Sequence, residues 1–129
     1  MGYKILLVEN HQDTAVYLQL FLEKAGHSVT ISPDVRSTIE LPDLESFDII
    51  LSDIGLPDGD GWELMQRIRP LTNAYAVAMS GFGMTSDIKR SLAVGYQAHL
   101  TKPFTPARLL DALGKAKSHR EKGSTGSAG

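Results

Sequence analysis

A chain of 129 residues, 42% hydrophobic and 22% charged, has the size and balance of one compact domain with a buried core and leaves no room for two. Its formal net charge of −2 and pI near 6.0 supply no basic stripe, which argues against direct contact with nucleic acid. The lack of cysteine excludes disulfides, thiolate metal sites and cysteine nucleophiles. No apolar run approaches the ~18 residues of a membrane span and no signal-peptide pattern opens the chain, so a cytoplasmic location away from the membrane is expected.

Apolar runs and amphipathic segments then alternate. "YKILLV" at 3–8 predicts a strand, and "HQDTAVYLQLFLEKAG" at 11–26 a helix with Ala15, Leu18, Leu22 and Ala25 on one face and Gly26 as its stop. "HSVTI" at 27–31 predicts a second strand, after which Ser32 reads as the N-cap and Pro33 as the first position of a short helix ending near Pro42. "FDIILSD" at 47–53 is a third strand, followed by a helix over "GWELMQRIR" at 61–69 that Pro70 closes. "AYAVAMS" at 74–80 predicts a fourth strand, with a helix from about Thr85 to Val94 ended by Gly95. "QAHLT" at 97–101 is a short fifth strand, and Thr105 and Pro106 cap a last helix running to about Lys117. The domain is therefore set at 1–117. The remainder, "SHREKGSTGSAG" at 118–129, is small, polar and glycine-rich, as a flexible linker or tail would be.

Strands that are apolar throughout, rather than alternating, are buried on both faces, so the alternation predicts an α/β fold with a parallel sheet between two helical layers. In such sheets ligands bind beyond the carboxyl ends of the strands. Four strands end there on chemistry: Glu9 and Asn10 after the first, Asp53 at the third, Ser80 at the fourth, and Lys102-Pro103-Phe104 after the fifth. Asp53 closes a buried strand, and "IGLPDGDG" then turns the chain sharply and keeps bulk away from its carboxylate.

"ILLVEN", "LSDIGLPDGDGWEL", "AMSGFG" and "HLTKPF" together resemble, in order, the signatures of the response-regulator receiver domain of two-component signalling. The likeness runs from about residue 3 to 116, and "SGFG" and "GYQAHLTKPF" look most like receivers attached to hybrid sensor kinases. The resemblance implies a flavodoxin-like, doubly wound five-stranded parallel sheet of order 2-1-3-4-5. It implies that Asp53 is the phosphoacceptor, charged from a phosphohistidine of a histidine kinase or phosphotransfer domain, in a signalling domain rather than an enzyme. Glu9 and Asn10 stand where the family holds Mg²⁺, with Asp53 and the Gly55 carbonyl completing the protein's share. Mg²⁺ keeps several waters of its six oxygens, so few protein ligands suffice. Lys102 and the metal would neutralise the equatorial oxygens of the transferring group. Ser80 matches the hydroxyl that binds the arriving phosphoryl group. Pro103 matches a proline whose preceding bond is commonly cis, and His99 stands where receivers often carry a switching tyrosine or phenylalanine, with a half-exposed strand residue as the equal alternative. Asn10 departs from the family pattern: a neutral amide replaces the second acid.

Simpler readings compete for several residues. Asp58 and Asp60 fit no calcium-loop frame and read as solvated turn residues. His11 starts a helix, His27 opens a strand and His119 lies in the tail, with no metal spacing among them. Trp62 and the methionines read as core or rim packing. The rival function is a receiver-shaped interaction module that works without phosphorylation because Asn10 weakens the metal site. A flavin-binding protein would want a glycine-bearing phosphate loop in place of "ENHQD", and a haloacid-dehalogenase-like phosphatase a carboxylate at position 55, which is glycine.

Overall fold

The computed structural model describes residues 2–81 and 85–116, with the side chain of Thr85 excepted. Phe82 and Gly83 of "SGFG", and the tail with His119, lie outside the described residues. Five strands, β1 (Lys4–Val8), β2 (Ser28–Ser32), β3 (Ile49–Asp53), β4 (Tyr75–Ser80) and β5 (Ala98–Thr101), alternate with α1 (Gln12–Lys24), α2 (Val35–Ile39), α3 (Gly61–Ile68), α4 (Thr85–Val94) and a helix α5 over 106–116. The strands form one parallel sheet in the order β2-β1-β3-β4-β5. The order reverses at β1, so a crevice opens between the carboxyl ends of β1 and β3.

Alternate residues of the three central strands feed two cores, and the edge strands β2 and β5 add Val29, Ile31, Ala98 and Leu100 to the first. Ile5, Leu7, Ile49, Leu51, Val77 and Met79 pack under α1 and α5, against Leu18, Leu22, Leu109 and Leu113. Leu6, Val8, Ile50, Ala76 and Ala78 face the other way, against Val35 of α2 and Leu64, Met65 and Ile68 of α3. Burial on both sides explains why β1, β3 and β4 are apolar almost throughout, whereas the edge strands β2 and β5, SVTIS and AHLT, alternate with polar residues.

Two boundaries differ from expectation. Ser32 is not a helix cap. It is the last residue of β2, paired with Val8, and its Oγ meets Thr38 Oγ1 at 2.7 Å. Parallel pairing extends the strand by one residue, so Asp34 becomes the cap and accepts from the Ser37 N–H at 2.7 Å. Asp58 and Asp60 are also more than solvated turn residues. Asp60 caps α3 by accepting from Glu63 N at 2.8 Å. The two Asp58 oxygens accept from Val35 N and Arg36 N, at 2.8 and 3.0 Å, which ties the loop after β3 to the start of α2. Within that loop Gly55–Leu56 pairs with Gly59–Asp60 as a small antiparallel hairpin. Pro70 does not end α3 abruptly: a 3-10 turn, Arg69–Leu71, follows. Arg69 spends its guanidinium on three carbonyls, those of Gly95, Thr72 and Ala74. Gly95 has φ of +121°, and a Cβ there would lie 2.6 Å from Arg69 Cδ, so both the backbone and the packing require glycine.

Candidate functional site

Each chemical residue is placed by a strand end. Asp53 closes β3 opposite Met79, and the next residue, Ile54, donates its N–H to the Met79 carbonyl at 2.9 Å. The backbone that carries the Asp53 carboxylate is thus tied to the end of β4. Glu9 directly follows β1 and is 2% exposed, while Asn10 beside it is exposed. Ser80 closes β4 and is buried. The Lys102 N–H donates to the Ser80 carbonyl at 2.7 Å, and the Lys102–Pro103 peptide is cis.

Lys102 Nζ lies 2.7 Å from Asp53 Oδ1 and 2.8 Å from Glu9 Oε1. Residues 9, 53 and 102, remote in sequence, therefore meet in one ion cluster. The other Glu9 oxygen accepts from His11 N at 3.1 Å. Burial first, and then the hydrogen bond with Glu9, push the Asp53 carboxyl up to about 7 against the pull of Lys102. Burial also works to raise Glu9, but its bonds to Asp53, Lys102 and the His11 amide outweigh it and hold Glu9 below the ordinary value. Lys102 shows the opposite balance: burial opposes its charge, and the two carboxylates prevail and raise its pKa. One ammonium between two buried carboxylates leaves the crevice with negative charge to spare, and that excess adds to burial in raising the Asp53 carboxyl.

The donor set suits a hard cation. Glu9 and Asp53 offer carboxylate oxygens, Asn10 an amide oxygen and Gly55 a carbonyl, all of the class that Mg²⁺ prefers. Among the described residues no group of three or more His, Cys, Asp or Glu side chains could hold a metal; with asparagine at position 10, the cluster has two acids.

Gly61 packs against the backbone of Asp53. Its N–H donates to the Ile54 carbonyl at 2.7 Å, its own carbonyl accepts from the buried Tyr96 hydroxyl at 2.8 Å, and a Cβ on it would fall 2.4 Å from the Asp53 carbonyl oxygen.

His99 is tied at both ring nitrogens, Nε2 to Ser80 Oγ and Nδ1 to Ser91 Oγ, each at 3.0 Å. Ser91 also receives the Trp62 indole N–H at 2.9 Å. Ser91 and Trp62 were not legible as site residues. Their contacts cross from one helix to another with no local spacing to announce them, and only an indole at the first turn of α3 gave a signal. His27 packs structurally, accepting from Tyr3 N at 2.9 Å and stacking on the Tyr3 ring. His11 bonds Thr14 at the start of α1.

A family model for the response regulator receiver domain matches residues 5–114. The chain is similar to an uncharacterised 14.6 kDa protein of Leptolyngbya boryana, 32% identical over 109 residues, 82% of this chain and 83% of that one. It is 34% identical over 120 residues to the transcriptional regulatory protein SpaR of Bacillus subtilis, covering 92% of this chain and 53% of SpaR. It covers 56% of the probable transcriptional regulator ycf29 of Porphyra purpurea, so the chain spans about half the length of such regulators. Among solved structures, a CheY-like response regulator receiver domain protein from Methanospirillum hungatei superimposes with a TM-score of 0.86 at 25% identity, over 95% of this chain and 99% of that one. A two-component response regulator from Clostridium difficile does so with 0.82 at 31% identity, over 93% and 98%. Fold and sequence agree along nearly the whole described chain, and the chain belongs to the response regulator receiver domain family.

Proposed function

We propose that this receiver accepts a phosphoryl group on Asp53 from a phosphohistidine and carries it as a signal to a partner or to a domain beyond residue 117. The observation that carries this reading is the Asp53 carboxylate at the end of β3 with Lys102 Nζ 2.7 Å away. An Asp53 oxygen attacks phosphorus, the P–N bond breaks, and its electron pair stays on the donor imidazole, which then takes a proton. Lys102 balances charge on the moving oxygens, and the Ser80 hydroxyl donates to one of them. Glu9, Asn10, Asp53 and the Gly55 carbonyl would hold Mg²⁺, which supplies charge neutralisation to the phosphoryl oxygens when bound.

A donor protein has an apolar seat beside the acceptor. Tyr17 and Leu20 of α1 are 60% and 61% exposed. A cavity of about 430 Å³ lined by Thr14, Tyr17, Leu18, Lys102, Pro103 and Phe104 opens beside Tyr17. A histidine kinase or histidine phosphotransfer domain whose helix lays apolar residues there would bring its phosphohistidine to the mouth of the sheet. No helix among the described residues is long and apolar enough to cross a membrane.

Incubation with a small phosphodonor and Mg²⁺, followed by intact-mass measurement, should show one added phosphoryl group in the wild type and none in Asp53→Asn. An unchanged wild-type mass, or an equal gain in the variant, defeats the reading. Leu20→Glu should leave labelling by the small donor unchanged and slow transfer from a phosphohistidine protein by about tenfold, since docking an apolar partner would strip water from an unpaired carboxylate. Equal transfer rates would remove α1 from the docking surface.

The two-acid cluster favours a second reading, an interaction module that works without phosphorylation. A protein that takes no phosphoryl group, yet retains a partner under conditions where Asp53→Asn also retains it, is that module.

A further inference from the structure

We propose that Trp62, Ser91 and His99 form a one-way chain of hydrogen-bond donors that fixes the tautomer of His99 and aims the Ser80 hydroxyl hydrogen at the phosphoryl group arriving on Asp53. This rests on the phosphoacceptor reading above and makes the three side chains positioning residues for it. The direction follows from what each atom can do. An indole N–H only donates, so the 2.9 Å contact from Trp62 Nε1 to Ser91 Oγ has one sense. Among the described residues, the other partner of Ser91 Oγ is His99 Nδ1 at 3.0 Å. Ser91 is fully buried, and a buried hydroxyl places its hydrogen on an acceptor. Trp62 cannot accept, so Ser91 donates to Nδ1. A neutral imidazole that accepts at Nδ1 carries its proton on Nε2, and Nε2 lies 3.0 Å from Ser80 Oγ.

The consequence falls on Ser80. A hydroxyl has one hydrogen and two lone pairs. With His99 donating into one lone pair, the hydrogen of Ser80 is directed away from the imidazole, and a phosphoryl oxygen on the neighbouring strand end is an acceptor for it. Each donor in such a chain also polarises the next. A phenylalanine at position 99 could neither accept from Ser91 nor donate to Ser80. The Arg90 guanidinium, 4.1 Å from the Trp62 ring, holds the first donor in place from outside.

The test reads the tautomer directly. In nitrogen-15 spectra of imidazole-labelled protein, wild-type His99 should show Nδ1 as the unprotonated nitrogen and Nε2 as the protonated one. Ser91→Ala, and less completely Trp62→Phe, should shift His99 toward a mixture of tautomers. Ser91→Ala should also slow labelling of Asp53 by a small phosphodonor by about tenfold, the order expected when one oriented hydrogen bond is lost, with the thermal midpoint recording stability separately. The wild-type spectrum tests the chain even if a variant fails to fold. An Nδ1-protonated His99 in wild type overturns the proposal, as does Ser91→Ala with unchanged tautomer and rate. A wild type with the expected tautomer that gains no phosphoryl group overturns the phosphoacceptor reading, and the positioning role with it.

Discussion

Gly61→Ala is expected to destabilise the protein by about 3 kcal/mol or more, a loss at the upper end of ordinary overpacking. Helix propensity alone predicts the reverse, since alanine inside a helix is worth about 1 kcal/mol over glycine. Geometry decides against propensity because the added Cβ would lie 2.4 Å from the Asp53 carbonyl oxygen and 3.0 Å from Ile54 Cα. Both are backbone atoms, so no side chain can swing aside. The helix start cannot retreat either. Gly61 N is bonded to the Ile54 carbonyl at 2.7 Å, the Gly61 carbonyl is held by the Tyr96 hydroxyl at 2.8 Å, and Asp60 caps the same turn. Relief therefore moves β3's last residue, and labelling of Asp53 should fall along with stability, since small misplacements of reacting groups are costly. Thermal melting should show the midpoint down by roughly 10 to 15 °C for a domain of this size. A midpoint within about 2 °C of wild type would mean that α3 can slide on β3, and that Gly61 is not a constraint on the acceptor.

The same glycine shows what could and could not be read from the sequence. Asp53, Glu9, Ser80 and Lys102 were legible because each sits at the end of an apolar run, and the parallel topology carries such ends to one edge. The two helical layers followed from the apolar runs for the same reason, whereas the strand order came from the family resemblance. Asp58 was not legible as a clamp, because its partners Val35 and Arg36 lie 23 and 22 residues away and an aspartate in a Pro-Asp-Gly turn has a sufficient local reason to be there. Ser32 was misplaced because serine before proline satisfies the capping rule, while its strand pairing with Val8 is a long-range fact. Trp62 looked like packing because an indole's apolar surface dominates its sequence signal, and only its N–H to Ser91 gives it a second role. In each case a residue had a local explanation that was adequate and a tertiary partner that decided its part.

Asn10→Asp should tighten Mg²⁺ binding by about tenfold, which corresponds to about 1.4 kcal/mol. A new unit charge about 4 Å from a cation could contribute up to about 4 kcal/mol at an effective dielectric near 20. Asn10 is exposed, so water screens much of that, and its amide oxygen can already serve as a ligand. The metal-free variant should be less stable than wild type. It adds a third carboxylate beside Glu9 and Asp53, where one Lys102 ammonium already serves two, and like charges repel until a cation arrives. Added Mg²⁺ should restore the lost stability in the variant at lower concentration than it affects wild type, by linkage. Labelling of Asp53 at low Mg²⁺ should rise with the affinity. A magnesium titration followed by thermal melting and by intact mass reads all three effects. If the variant binds Mg²⁺ no better than wild type, position 10 does not reach the metal and Glu9, Asp53 and the Gly55 carbonyl must hold it without help. If the variant binds and is labelled while wild type does neither, the native asparagine has silenced the phosphoacceptor, and the phosphorylation-independent module is the function that this chain performs.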